Sequence, residues 1–460
     1  MRRWPLSIAA LLTLPLAAAH AETAGWRTDG TGLYPKAEPV SNWSGTENII
    51  WKTATPAWSN ASPAIVGQRL FVLAEKTTLV CIDRATGDIL WSAANDYRDV
   101  LDDKAIKQLE DELANEKPEL ERKLAEIELQ IDTLEVTDQR SRRQVGRLQR
   151  QSRDLQQALE GGNVFSVPPA HPDNGYTSAT PVTDGRHVWA VLGTGMVICY
   201  SVEGERQWAR LLQKPKHGWG HSASPLLVDG KLIVPILDLF ALDPVTGQTQ
   251  WQTPSQAHWG SPAATRIGAT DVIVTTHGQI VRASDGTVLA SNLPRMKWNG
   301  PYVAGRTVYC IEDQSSVYEL PVDDQAPLEP KRLWATTVTG SRHYACPVVH
   351  DKLVYTISRE STLSVIEAET GKLVYEQHIG LEAGRGNDVY TALSLAGGLL
   401  FAGAISGEFV VFKPGRTYDE VARNDLEPLR STPVFDGQRM YVRGLDHVYC
   451  IGPSRSTALR

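Results

Sequence analysis

Residues 225–253 read PLLVDGKLIVPILDLFALDPVTGQTQWQT, the clearest copy of a repeated pattern. It contains three short apolar runs and a fourth run that carries Trp251. Turn residues separate these runs, with Asp229-Gly230 after the first and Thr246-Gly247 before the last. Short apolar runs with turn signals at these offsets predict one antiparallel sheet of four strands.

The same pattern occurs eight times along the chain. Each copy starts with an opening, a small residue that is usually followed by Pro. The openings are Ser62-Pro63, Thr180-Pro181, Ser224-Pro225, Ser261-Pro262, Gly300-Pro301, Cys346-Pro347, Ala392-Leu393 and Thr432-Pro433. Because one such unit cannot bury its apolar face alone, eight copies predict an all-β, eight-bladed propeller of four-stranded antiparallel blades.

The eighth copy is incomplete, since it stops after its third apolar run near Ile451. A matching run stands at the other end of the chain, at residues 47–52, with Trp51 where other copies carry Trp91 or Trp251. We therefore expect the N-terminal strand to complete the last blade and close the ring, which leaves only short, protected sheet edges. The repeated Trp is interpreted as packing between blades.

Three copies resemble the PQQ-repeat (quinoprotein-like) β-propeller family most clearly, at residues 80–91, 242–251 and 366–375. The resemblance covers about residues 26–452 apart from one insertion. The start of the propeller, with Trp26-Arg27, residues 47–52 and Ser62-Pro63, looks like secreted PQQ-like repeat proteins of bacteria. It implies the propeller fold. The superfamily contains quinoprotein dehydrogenases, an outer-membrane assembly lipoprotein and many uncharacterised members, so it implies no single activity.

The resemblance also raises PQQ with calcium as a possible cofactor pair. Quinoprotein alcohol dehydrogenases typically bind calcium through a Glu and an Asn, and use a catalytic Asp, an aromatic floor and often a disulfide between adjacent cysteines. This chain has no adjacent cysteines. Asn387, Asp388 and Trp298 could supply parts of the set, so PQQ with calcium is kept as the alternative and no cofactor is predicted outright.

The N-terminus has the pattern of a signal peptide, with Arg2 and Arg3, an apolar stretch and an A-x-A site that ends at Ala21. We expect a periplasmic or secreted protein without a membrane span, and without a lipid anchor because no Cys follows the cleavage site. The net charge is −7 for the full sequence. This acidic balance argues against nucleic-acid binding.

The five cysteines do not predict a disulfide framework. Cys81, Cys199 and Cys450 occupy the same position in the third run of three different copies, and equivalent positions of different blades lie far apart. We expect buried thiols that pack as small apolar groups. No zinc or haem spacing is present, and the glycines between His217 and His221 argue against a helix that would align them on a metal.

One insertion interrupts the repeat, because the openings Ser62 and Thr180 are 118 residues apart whereas the others are about 40 apart. Leu120, Leu124, Ile127, Ile131 and Leu134 follow a coiled-coil rhythm. Residues 119–135 are acidic and residues 139–159 are rich in Arg, which favours an antiparallel helical hairpin. A helix break is expected at Pro118. The hairpin is either a structural decoration or a docking arm for a partner or a second copy.

Unusual aromatic and polar residues stand just before the openings, and repeat symmetry places them around one axis, on the face that also carries the insertion. A concave, aromatic and polar funnel is the default ligand site of such a fold. The candidate rim residues are Asn60, Tyr176, His217, Trp219, His221, His258, Trp259, Trp298, Asn299, Arg342, His343, Tyr344, Asn387, Asp388, Tyr390 and Arg430. Alternatively, the Trp and Tyr side chains cover the ends of neighbouring blades and have a structural role.

The predicted organisation is a signal peptide (1–21), the propeller start (22–97), the coiled-coil insertion (98–162), blades two to eight (163–452) and a tail (453–460). The favoured function is a non-catalytic exported binding or scaffolding module for a protein, peptide or polymer. The alternative is a PQQ- and calcium-dependent quinoprotein oxidoreductase. Catalytic residues stay unassigned, since no G-x-S-x-G nucleophile motif is present.

Overall fold

The computed structural model describes residues 24–97, 100–101, 103–134, 144–145, 148–149, 151–152, 155–156, 159, 168–256, 259–381 and 388–453. The strands before the insertion are β1 (Leu33–Tyr34), β2 (Ile49–Ala54), β3 (Ala64–Val66), β4 (Arg69–Ala74), β5 (Thr78–Asp83) and β6 (Ile89–Ala93). The helix α1 spans Asp103–Thr133.

The strands after the insertion are β7 (Val182–Thr183), β8 (His187–Val191), β9 (Met196–Ser201), β10 (Arg206–Leu211), β11 (Leu226–Val228), β12 (Lys231–Pro235), β13 (Leu239–Leu242), β14 (Thr249–Thr253), β15 (Ala263–Ile267), β16 (Thr270–Val274), β17 (Ile280–Arg282), β18 (Val288–Ala290), β19 (Tyr302–Ala304), β20 (Thr307–Cys310), β21 (Gln314–Glu319), β22 (Lys331–Thr337), β23 (Val348–His350), β24 (Leu353–Ile357), β25 (Thr362–Glu367), β26 (Leu373–His378), β27 (Ser394–Ala396), β28 (Leu399–Gly403), β29 (Glu408–Phe412), β30 (Glu420–Asp425), β31 (Val434–Asp436), β32 (Arg439–Arg443) and β33 (His447–Ile451).

These strands form eight antiparallel sheets of four, one for each repeat, so the predicted all-β fold with eight four-stranded blades is confirmed. Blades 1 to 7 are β3–β6, β7–β10, β11–β14, β15–β18, β19–β22, β23–β26 and β27–β30, and blade 8 holds β31–β33 with β2. One sheet departs from the pattern: β1 adds to blade 7 as a fifth strand, parallel to β27.

Local sequence explains the blades. The Asp229-Gly230 turn has positive φ at both residues, 49° and 65°, which is the conformation of a tight hairpin turn. It joins β11 to β12, with Val228 paired to Lys231. The middle strands of the blades are almost wholly buried, as in the pattern of β4 and β5. The apolar cores therefore lie between neighbouring blades.

The repeated Trp connects its blade to the next at five of the eight blade junctions. Trp208 of blade 2 lies on Gly247 of blade 3, where an added Cβ would stand 2.7 Å from the indole. Its Nε1–H donates to the carbonyl oxygen of Pro244 at 3.0 Å. The same arrangement occurs for Trp51, Trp91, Trp251 and Trp334. The interpretation of the repeated Trp as packing between blades is confirmed.

The N-terminal strand β2 pairs antiparallel with β33, as the outer strand of blade 8. Trp51 of β2 is buried, and its Nε1–H donates to the carbonyl oxygen of Arg84 in blade 1 at 3.1 Å. On the inner side, the Thr432 amide of blade 8 donates to Ser62 Oγ of blade 1 at 2.8 Å. The first and last blades are therefore in direct contact.

The segment before β2 lies inside the ring of inner strands. Ala24 bridges to Thr183 in blade 2, and Arg27 Nη2 donates to the carbonyl oxygens of Pro347 in blade 6 and Leu393 in blade 7, at 2.9 and 2.8 Å. Because blades 2 and 6 are opposite each other in an eightfold ring, this segment lies across the channel. A cavity of about 220 Å³ remains between it and the inner strands of blades 2 to 5.

The insertion contains α1, which continues through Pro118, so the predicted helix break at that residue is wrong. A proline removes one hydrogen bond and costs about 3 kcal/mol, which bends a helix without ending it when regular turns continue on both sides. The ion pairs Glu119–Lys123 and Arg122–Glu126 stabilise the next turns.

The second half of the predicted hairpin lies mostly outside the described residues. Its described positions 144–145, 148–149, 151–152, 155–156 and 159 are helical, and Gln156 Nε2 donates to Glu128 Oε1 of α1 at 3.0 Å. The coiled-coil hairpin as a whole stays a prediction. The signal peptide also lies outside the described residues.

All five cysteines are described, and all are buried free thiols, as predicted. Burial raises the pKa of the Cys81 thiol to about 11. Among the helices of the described ranges, no segment is long and apolar enough to cross a membrane.

Candidate functional site: the mouth of the central channel

A ring of eight side chains surrounds the mouth of the channel. Each stands two residues before the opening of its blade, and we call the set the mouth ring. Its members, from blade 1 to blade 8, are Asn60, Ser178, Ser222, Trp259, Trp298, Tyr344, Tyr390 and Arg430. The repeat places the same position of each blade at the same radius, so several neighbours in this ring are in contact, as Asn60 is with Ser178.

Blades 4 to 7 contribute four aromatic residues to the ring, which we call the aromatic arc. Trp259 and Trp298 are stacked, with centroids 5.5 Å apart and planes 2° apart. Trp298 and Tyr344 meet edge to face at 5.6 Å, and Tyr344 and Tyr390 are stacked at 4.4 Å. All four are partly exposed. The arc is therefore a continuous aromatic surface across half of the mouth.

Two arginines flank the aromatic arc. The Arg342 guanidinium lies 4.7 Å from the Trp298 ring centroid, and its Nη1 donates to Tyr344 Oη at 2.9 Å. The Arg430 guanidinium lies 5.5 Å from the Tyr390 centroid. Burial raises the pKa of the Tyr390 hydroxyl, so this group stays protonated and able to donate. The arc thus combines apolar rings with several hydrogen-bond donors.

The other half of the mouth is covered by residues 168–176, which we call the strap. His171 stacks on Trp219 with centroids 3.8 Å apart. The carbonyl oxygen of Asp173 accepts from Asn60 Nδ2 at 2.8 Å and from Arg430 Nη1 at 3.0 Å. The strap lies between the insertion and the first strand of blade 2, and its contacts reach blades 1, 3 and 8.

Two carboxylates, the buried Glu312 and the partly buried Glu75, hold loops of the mouth in place. Glu312 Oε1 accepts from the backbone amides of Lys297 and Trp298 at 2.9 and 2.7 Å. Glu75 accepts in the same way from the Tyr176 amide at 2.8 Å. Burial raises the pKa of both carboxyls. Sequence analysis missed these residues, although both directly follow the second apolar run of their repeats.

Three predicted rim residues are buried below the surface. Asn299 Nδ2 donates to the carbonyl oxygens of Ile311 and His343, both at 3.0 Å. His343 is fully buried, and burial lowers its pKa to about 4. His221 is 2% exposed and lies 3.0 Å from the Ala223 carbonyl oxygen through Nε2. These three side chains are therefore enclosed below the mouth, and the Asn299 amide connects its own blade to the loop before blade 6.

The remaining predicted residues lie at the mouth. His217 meets Trp259 edge to face at 4.7 Å, and Trp219 is 47% exposed. Tyr176 Oη donates to the carbonyl oxygen of Pro168 within the strap at 3.0 Å. Asp388 lies 3.6 Å from Arg359 Nε. The predicted residues His258 and Asn387 lie outside the described residues.

The described residues do not fit PQQ with calcium. Trp298 is engaged by Trp259 and Arg342, and Asp388 pairs with Arg359. The described parts of the chain contain no cluster of three His, Cys, Asp or Glu that could hold a metal ion. The channel beneath the mouth is crossed by the segment that contains Arg27. We derive no redox step from this site.

The chain is similar to known propeller proteins. The family model described as outer membrane protein assembly factor BamB matches residues 40–111 and 158–328, more than half of the chain. BamB from Moraxella catarrhalis superposes with a TM-score of 0.55 at 11% identity, over 88% of this chain and 99% of that chain.

A quinohemoprotein alcohol dehydrogenase from Pseudomonas putida HK5 superposes with a TM-score of 0.52 at 11% identity, over 94% of this chain and 81% of that chain. At these identities the two structures show the fold alone. No curated protein sequence matches this chain.

Proposed function

Because the chain belongs to the PQQ-repeat propeller family of the outer membrane protein assembly factor BamB, we propose that it is an exported, non-catalytic binding or scaffolding module. The channel mouth would engage a protein, peptide or polymer ligand. The periplasm or the extracellular space would be its place of action, after removal of residues 1–21.

The aromatic arc is the observation that carries this proposal. Four aromatic rings from four successive blades are partly exposed at one mouth, with Arg342 and Arg430 beside them. Aromatic residues and arginines are the side chains that most often dominate binding energy at protein interfaces. The buried Glu312 carboxylate fixes the loop that carries Trp298, so this part of the arc is held in place before a ligand arrives.

The insertion supports a scaffolding role. Its helix α1 is largely exposed and acidic, and the strap joins the insertion to the mouth. A helical hairpin at this position would act as a docking arm for a partner or for a second copy of the chain. The family name supports a protein partner, because an assembly factor acts together with other proteins.

The experiment is co-purification from envelope extracts of the native host with the full mature chain as bait. The double variant Trp298→Ala/Arg342→Ala should lose the polypeptides or polymers that the unmodified chain recovers. Val245→Ser is the matched control, because Val245 is exposed in a turn on the opposite face. Equal recovery by both variants would refute the proposed site.

A second variant, in which a short Gly-Ser linker replaces residues 98–162, tests the docking arm separately. The propeller should stay folded, and partner recovery should fall if the arm takes part. Adding PQQ and calcium to the unmodified chain tests the alternative function. An absorbance change together with a higher melting temperature would favour the quinoprotein hypothesis over the binding module.

A further inference from the structure

The inner strand of each blade turns one edge toward the channel, and the N-terminal segment bonds to this edge in two blades. The Ala24 amide donates to the carbonyl oxygen of Thr183 in blade 2 at 3.0 Å, and the Thr183 amide donates to that of Ala24 at 2.8 Å. The Leu395 amide of blade 7 donates to the carbonyl oxygen of Gly32 at 2.8 Å. Thr183 and Leu395 each stand three residues after the opening of their blade. The main chain at this repeat position therefore pairs with another segment of polypeptide.

Strand register gives blade 4 the same arrangement. Its position three residues after the opening is Ala264, which pairs with Ile273 of β16. The turn between β15 and β16 is closed by the pair Ile267 and Thr270. Because hydrogen-bonded and non-hydrogen-bonded pairs alternate along antiparallel strands, Ala264 belongs to a non-hydrogen-bonded pair. Its N–H and C=O therefore point away from β16 and toward the channel.

The same repeat position lines the channel cavity in three blades. Leu227, Ala264 and Val303 of blades 3, 4 and 5 border this cavity of about 220 Å³. Ala264 is exposed, whereas Thr183 and Leu395, which bond to the N-terminal segment, are buried. In the described part of the chain, no other group hydrogen-bonds to the main chain of Ala264 on its channel side. The cavity therefore contains a main-chain donor and a main-chain acceptor that are available to a ligand.

One charged side chain lies in the lining of the cavity. Among the lining residues, all of which are described, Asp29 is the only one with an ionisable side chain. Asp29 is exposed, and its Oδ1 accepts from the Thr31 amide at 2.9 Å and from Thr31 Oγ1 at 2.6 Å. A single carboxylate among neutral lining residues attracts a cationic group. A ligand of this cavity should therefore carry a positive charge as well as main-chain groups.

The volume of the cavity limits the ligand to a few small residues. About 220 Å³ is the share of about seven water molecules in the liquid, at about 30 Å³ each. A fully extended tripeptide is about 10 Å long and has donors and acceptors along its whole length. A ligand that combines a main chain with an ammonium group in this space is a short peptide with a free N-terminus.

We propose that this cavity binds a short peptide of small residues that has a free N-terminal amino group. Its main chain pairs with the inner edge of β15 at Ala264, as Ala24 pairs with Thr183, and its ammonium group binds the Asp29 carboxylate. Pairing with a sheet edge is a recurring mode of peptide recognition, in which main-chain hydrogen bonds supply the affinity. The site goes beyond the proposed function, because it lies inside the channel and includes no residue of the aromatic arc.

Isothermal titration calorimetry of the full mature chain with trialanine tests the class of ligand. We expect saturable binding. N-acetyl-trialanine has no ammonium group, and we expect its affinity to be lower by about tenfold or more. Asp29→Asn keeps an oxygen acceptor for Thr31 and removes the charge, so this variant should bind the two peptides with equal affinity.

Two changes test the pairing with Ala264. Ala264→Pro removes the channel-facing N–H, and proline is tolerated on an edge strand where its missing donor would point away from the sheet. This variant should bind trialanine about three- to tenfold more weakly, whereas the matched control Ala264→Gly keeps the N–H and should bind it with unchanged affinity. Circular dichroism and melting temperature will verify that each variant is folded. A trialanine that is methylated at its central amide nitrogen lacks the donor to the Ala264 carbonyl oxygen, and it should bind the unmodified chain about three- to tenfold more weakly.

Several results would overturn the inference. They are no binding of trialanine, equal affinity for trialanine and its N-methylated form, and equal affinity of Ala264→Pro and Ala264→Gly for trialanine. Butylamine carries an ammonium group without a main chain, so butylamine binding as tight as that of trialanine would overturn the inference too. None of these measurements involves the aromatic arc, so this inference and the proposed function can fail independently of each other.

Discussion

Replacing Gly87 by Ala would test the contact between the first and last blades. Gly87 lies in the last turn of blade 1 with φ of +83°, and an added Cβ would stand 2.7 Å from the Trp51 indole of β2. The left-handed conformation costs an alanine about 1–2 kcal/mol. Overpacking against a buried ring adds about 1–3 kcal/mol. We expect Gly87→Ala to lower the free energy of unfolding by about 2–5 kcal/mol.

Gly67→Ala is the matched control, because Gly67 has φ of +53° in the first turn of the same blade and open space around the added Cβ. It should show the conformational cost alone, about 1–2 kcal/mol. Urea denaturation followed by circular dichroism and by tryptophan fluorescence measures both variants. Equal destabilisation of the two variants would refute the reasoning, because it would mean that the Trp51 contact contributes nothing to the ring.

Three other changes probe the loops and the insertion. Because burial lowers the pKa of His343 to about 4, the unfolded chain takes up a proton that the folded chain does not as pH falls below about 6.5. The free energy of unfolding should therefore fall by roughly 3 kcal/mol between pH 6.5 and 4, as measured by urea denaturation across this range. His343→Leu should abolish this loss, whereas His350→Leu, at an exposed site, should not. Asn299→Ala removes the donor to carbonyl oxygens below the arc and should lower the free energy of unfolding by about 2–4 kcal/mol in the same assay. A decrease of less than about 0.5 kcal/mol would contradict the supporting role of Asn299. Pro118→Ala should add up to about 3 kcal/mol to local helix stability, seen as slower amide exchange around this position in α1, whereas unchanged exchange would show that the proline causes no local weakening.

The blades could be predicted because their signals are local. The Asp229-Gly230 turn and the apolar runs on either side of it lie within a dozen residues, and eight repetitions reinforce one another. The repeated Trp was also predictable as packing, since a residue type that recurs at one position in most copies points to a contact that recurs between blades. Trp208 on Gly247 is such a contact.

Other features depend on contacts that the sequence pattern does not contain. Arg27 bonds to Pro347 and Leu393, more than 300 residues away, so the course of the N-terminal segment through the channel has no local signal. Polar loop residues were ambiguous, because a polar side chain can face solvent or bond to backbone carbonyls. Asn299 and Tyr344 illustrate the two outcomes: Asn299 is buried under the loops and Tyr344 lies in the arc.

The candidate site was located by the repeat, and its composition was resolved by the structure. Counting two residues back from each opening would have found the mouth ring. The strap would have been missed by the same count, because residues 168–176 lie between the insertion and blade 2 and follow no period. Their role depends on contacts such as Asp173 with Arg430, which connect distant parts of the chain.

Photo-crosslinking at the mouth is the sharpest test of ligand binding by the aromatic arc. A p-benzoylphenylalanine in place of Tyr390 reports on the arc, and the same group in place of Val245 reports on the opposite face. In cells of the native host, we expect a covalent adduct with another polypeptide from the Tyr390 position, reduced by Trp298→Ala, and no adduct from the Val245 position. An adduct from Val245 alone, or a Tyr390 adduct that Trp298→Ala leaves unchanged, would contradict ligand binding by the arc.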